Sequence, residues 1–98
     1  MNKKYKLTEE TKERFGTKLY RIEALKDFGN IKKGDKGGFI EKEENLSQEN
    51  DAWVFGNAWV FGNAQVSGNA QVFGNAQVSG NAWVYKQKLI GGYFYHTK

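Results

Sequence analysis

The chain has 98 residues, with 15 Lys and Arg against 11 Asp and Glu, a formal net charge of +4, and neither Cys nor Pro. That length suits one small domain with a shallow core. Without cysteine there is no disulfide, thiolate metal site or thiol nucleophile, and no apolar run approaches membrane-spanning length.

In chain order, MNKKYKLTEET (1–11) is basic but has no apolar h-region, so it does not read as a secretory signal. The expected location is the cytoplasm. In YKLTEETKERFGTKLYRIEAL (5–25), polar and apolar residues alternate on both sides of Gly16. The pattern predicts a β-hairpin with strands over 5–13 and 18–25; a short helix over 8–14 is the alternative. Residues 1–38 are thus expected to form an N-terminal hairpin or cap. GDKGG (34–38) contains a Lys but lacks the spacing and the following Lys-Ser/Thr of a phosphate-binding loop, so it is expected to be a turn. EKEEN (41–45) groups Glu41, Glu43 and Glu44 without the glycine or spacing of a calcium loop, and is expected to be a solvated charged edge. No metal or cofactor is expected.

From residue 51 the chain repeats in sixes: DAWVFG, NAWVFG, NAQVSG, NAQVFG, NAQVSG and NAWVYK, ending at Lys86. Ala and Val hold positions two and four throughout. On an extended strand they share one face, and the Trp/Gln and Phe/Ser positions point to the other. Gly-Asn then breaks each strand, since both residues tolerate left-handed backbone. A helix would smear Ala and Val around its axis and would carry a glycine every sixth residue, at a cost of about 1 kcal/mol each. Disorder conflicts with the strict periodicity and the seven aromatics between 51 and 85, whereas stacked cross-β remains compatible with the low charge. Asp51 is the only charged residue from 51 to 85. A phosphate-tracking groove needs clustered Lys and Arg, so nucleic acid is not an expected partner, and no acidic face supports DNA mimicry.

The phrase N-A-x-V-x-G resembles the hexapeptide repeat of left-handed parallel β-helices, in which three hexads make one triangular coil. Together with GDKGGFIEKEENLSQ (34–48), it is also similar to short phage and prophage proteins that begin with a Lys-rich hairpin. The resemblance implies an all-β, left-handed parallel β-helix spanning 39–86, an N-terminal β-hairpin cap (1–38), and a C-terminal cap or oligomerisation tail (87–98). For a phage-encoded chain, the compartment would be the cytoplasm of the host cell. Stepping back in sixes from Ala52 places Leu46 and Ile40 at position two, as inward residues of an imperfect lead-in coil. In the tail, Leu89 and Ile90 would plug the last coil. Gly91-Gly92 would then turn Tyr93, Phe94 and Tyr95 back onto a face or onto another subunit.

Many proteins of this fold are acyltransferases that use a general-base histidine. The one imidazole here is His96, close to the end of the sequence, and no long loop interrupts the hexads to make a pocket. The chain is therefore expected not to be an enzyme. Each coil buries only Ala and Val, and a fully buried Val contributes about 1.5–3 kcal/mol. The large outward residues therefore matter. With three hexads per coil, one face carries Trp53, Phe55 and Phe73, a second Trp59 and Phe61, and the third Trp83 and Tyr85. These, with Tyr93, Phe94 and Tyr95, are the candidate partner or oligomer interface. Cover by the chain's own termini, by a second copy (a dimer or trimer), or by a host or viral protein all remain open. The expected function is a non-enzymatic protein-binding module on a rigid β-helix, which the phage resemblance extends to an inhibitor of a bacterial defence system such as a CRISPR effector. The alternatives are a structural oligomerisation module of a phage particle and an acyltransferase-like or small-ligand-binding β-helix.

Overall fold

A computed structural model describes residues 3–14, 16–74, 76–85, 88–90 and 93–96. The chain is all-β, with a single 3-10 turn at Glu43–Asn45 among the described residues. Strands β1 (Tyr5–Arg14) and β2 (Thr17–Ala24) pair antiparallel around Gly16. The predicted hairpin therefore forms, its strands within one position of the expected bounds, and the alternative helix over 8–14 does not. Strand β3 (Lys36–Ile40) adds antiparallel to β2.

Eight short strands follow: β4 (Trp53–Val54), β5 (Trp59–Val60), β6 (Gln65–Ser67), β7 (Gln71–Phe73), β8 (Gln77–Gly80), β9 (Trp83–Tyr85), β10 (Lys88–Ile90) and β11 (Tyr93–His96). Consecutive strands do not pair with each other. Trp53 pairs with Gln71, Trp59 with Gln77 and Gln65 with Trp83, all parallel and all three hexads apart. Each described hexad glycine from Gly56 to Gly80 turns the corner at a φ between 60° and 69°, which explains the recurrent letter. Three sheets result: β1-β2-β3-β5-β8-β11, β10-β7-β4 and β6-β9. All the repeat Ala and Val side chains are buried, from Ala52 to Val84.

Three expectations are corrected. First, the molecule is a small domain of mixed sheets and not a closed solenoid: the hairpin is built into the largest sheet, so antiparallel and parallel strands share it. Second, Ile40 and Leu46 do join the core, but Ile40 pairs with Val60 and Leu46 bridges to Val66, in each case two positions past the three-hexad spacing. They occupy the level of position four, because the chain accommodates that slip between Leu46 and Ala52, where Asn50 takes a φ of 62°. Third, the tail does not fold back across a face. Strands β10 and β11 extend the parallel ladders beside β7 and β8, and the expected Gly91-Gly92 turn lies outside the described residues.

GDKGG is likewise only half a turn. Gly37 and Gly38 lie in β3, against the first two repeats. A Cβ on Gly38 would stand 2.6 Å from both the Ala58 carbonyl oxygen and Val54 Cγ1, and one on Gly37 would stand 2.4 Å from the Val54 carbonyl oxygen. Bare backbone is what lets β3 lie against the first two repeats.

Candidate functional site

Trp53 is only 1% exposed. Tyr5 meets it edge-on at 6.1 Å between ring centroids and Phe28 at 5.2 Å. Its cover is fixed by a polar clamp. Lys4 Nζ donates to the carbonyls of Ala52 (2.7 Å) and Asn50 (3.2 Å), and the same ammonium lies 4.8 Å from the Phe28 ring centre. Burial lowers the Lys4 pKa to about 8, against the opposing pull of the Asp51 carboxylate. The Tyr5 hydroxyl donates to the carbonyls of Leu46 and Glu43, and burial, with Glu43 and Glu44 nearby, pushes its pKa up.

The segment that follows β3 completes the clamp. Gln48 Oε1 accepts from the Lys4 and Tyr5 amides at 2.7 and 3.2 Å, and its Nε2 donates to Glu43 at 2.9 Å. Glu43 also meets Lys3 Nζ at 3.0 Å, which holds its pKa below the ordinary carboxylate value. Asn45 is fully buried. Its Oδ1 accepts from the amides of Glu41 and Lys42, and its Nδ2 donates to the carbonyls of Gly62 and Ala64 at 3.2 and 2.8 Å. Glu41 accepts from the Gly62 amide at 2.8 Å. EKEEN is therefore a bracket on the first repeats and not merely a solvated edge. Sequence reasoning missed Lys4, Asn45 and Gln48; their one visible signal is polar residues beside an apolar pattern.

The remaining candidates separate by face. Phe55 and Phe73 stack with centroids 4.3 Å and planes 10° apart, and both are half-buried. Trp59 and Phe61 are half-buried on the sheet that carries the hairpin. Beside Trp59 in that sheet, Phe39 is fully buried beneath Arg21, whose guanidinium lies 4.5 Å from the ring centre. Trp83 and Tyr85 are 73% and 56% exposed, the two exposed large hydrophobics among the described residues. They sit at alternate positions of β9, opposite Gln65 and Ser67 of β6. The Tyr85 ring covers Gly68, where a Cβ would come within 2.7 Å of it, so one edge of the pair is anchored. Tyr93, Phe94, Tyr95 and His96 have backbone places in β11, and their side chains lie outside what is described.

The candidate faces are thus distinguished. The first is largely covered by the chain's own N-terminal segment, apart from a groove beside Phe55 and Phe73. The third presents two aromatics to solvent. Among the described residues no group of three or more His, Asp or Glu could hold a metal ion, and no helix is long and apolar enough to cross a membrane. No family model matches the chain, and no curated protein matches it either. With the mixed sheets, this corrects the expected membership of the hexapeptide-repeat family.

Proposed function

We propose that the protein is a non-enzymatic binding module that engages another protein through the third face, with Trp83 and Tyr85 as its anchors. The observation that carries this reading is their joint exposure on one short strand, on a chain whose other described large aromatics are at least half covered. Trp and Tyr offer large contact area at low entropic cost and dominate the energetics of many interfaces. The parallel ladders, each pairing strands three hexads apart, support a rigid backing for this face. The narrower expectation of a defence inhibitor rested on the phage resemblance, and nothing in the site adds to it.

The test replaces both anchors, W83S with Y85S, and compares molar mass by light scattering with capture of binding proteins. Loss of a captured partner at unchanged molar mass supports the proposal. A parent dimer or trimer that becomes monomeric in the variant assigns the face to self-association instead, and no change in either measurement sinks it.

A further inference from the structure

Beside the stacked pair lies an open groove of about 510 Å³, a size typical of small-ligand sites. The stacked Phe55 and Phe73 line it, as does Asn30 on the loop between Phe28 and Ile31. Asp51, Asn69 and Gln71 supply the polar lining. The Asn69 Oδ1 accepts from the Asp51 amide at 3.3 Å, which leaves its NH₂ group for a ligand. The carboxamides of Asn30 and Gln71 are engaged by none of the described residues.

Charge narrows the ligand. Among the described side chains the lining holds one carboxylate and no cation, so a phosphate or a carboxylate finds no ionic partner in it. A guanidinium or ammonium is disfavoured as well, because the buried Lys4 ammonium, itself close to Lys26, already opposes Asp51. What remains is a neutral group that donates and accepts hydrogen bonds on one side and offers an apolar face to the other. Carboxamides provide both donors and acceptors, an ionised carboxylate accepts from paired hydroxyls, and an aromatic wall packs against C–H groups.

We infer that this groove binds a saccharide unit, with its hydroxyls on Asp51, Asn69, Gln71 and Asn30 and its C–H groups against the Phe55–Phe73 pair. The site is separate from the Trp83–Tyr85 face, and neither reading needs the other. A single ring in an open groove binds weakly, with dissociation constants in the millimolar range. Because the ligand is neutral, binding is insensitive to salt.

The test is a titration of the ¹⁵N-labelled protein with glucose, galactose, mannose, N-acetylglucosamine and N-acetylgalactosamine, each to about 50 mM, with adenosine and arginine as controls. The expected result is saturable shifts of the Asn30, Asn69 and Gln71 side-chain amides for at least one sugar. That binding should weaken about tenfold in Q71A and in D51N. F55A tests the wall, and Q71A keeps the outcome decisive if F55A fails to fold. The inference is overturned if none of the sugars moves these resonances, if adenosine or arginine moves them in place of the sugars, or if Q71A and D51N bind as the parent does.

Discussion

Replacing Asn45 with Ala removes a side chain that contributes four hydrogen bonds without any exposed surface. The Glu41 amide keeps a second acceptor, the Val60 carbonyl, at 3.1 Å. The Lys42 amide and the Gly62 and Ala64 carbonyls lose the partner that Asn45 gave them. An unsatisfied buried polar group costs about 1–3 kcal/mol; Lys42 and Gly62 are partly exposed and water recovers some of that. The expected loss is therefore about 3 kcal/mol. For a domain of this size that lowers the melting temperature by about 15 °C and the urea midpoint by roughly 1.5 M. N45D is the informative companion. It keeps the oxygen that accepts from the two amides but turns a second oxygen toward two carbonyls, so its destabilisation should grow as pH rises through the carboxylate range. An N45A protein within about 0.5 kcal/mol of the parent, the ordinary scatter of surface substitutions, would refute the bracket as a source of stability.

Four other outcomes are expected. Stability should rise between about pH 8 and 10: the folded state there has released the Lys4 proton that the unfolded chain still holds, so the unfolded state binds more protons. Tyr5 acts oppositely above its unfolded value of about 10, because its proton is retained longer in the fold. Urea melts across that range should show an alkaline maximum, and K4M should flatten the rising limb. Below neutrality, stability should fall as Glu43 takes up a proton and loses Lys3, but only by about 1 kcal/mol or less, since the pair is half exposed. G38A should cost about 1–3 kcal/mol by overpacking against Val54 and the Ala58 carbonyl, measured by thermal melting. W53A should cost about 3–5 kcal/mol and speed hydrogen exchange at the Tyr5 amide, because Tyr5 and Phe28 lose the surface they cover.

The repeats were the legible part of the sequence. Ala and Val at positions two and four, with Gly at the corner, carry both the strand and its buried face, and the same alternation around Gly16 carries the hairpin. The slip before Ala52 was not legible, because a loop with a left-handed Asn50 shifts phase without disturbing the apolar spacing. Nor was the clamp. Lys4, Asn45 and Gln48 act on backbone groups remote from them in sequence, and a polar side chain gives no periodicity by which to place its partner. The outward aromatics were identified as a set, but only tertiary packing separates Trp53, under Tyr5 and Phe28, from Trp83 in solvent.

The most direct test of the binding role is quantitative affinity capture with the tagged parent and the W83S/Y85S double variant, both first shown to melt at the same temperature. The proposal predicts at least one protein retained by the parent and lost from the variant, with the retained set unchanged when the groove is altered by Q71A. An identical set of captured proteins for parent and double variant would contradict it.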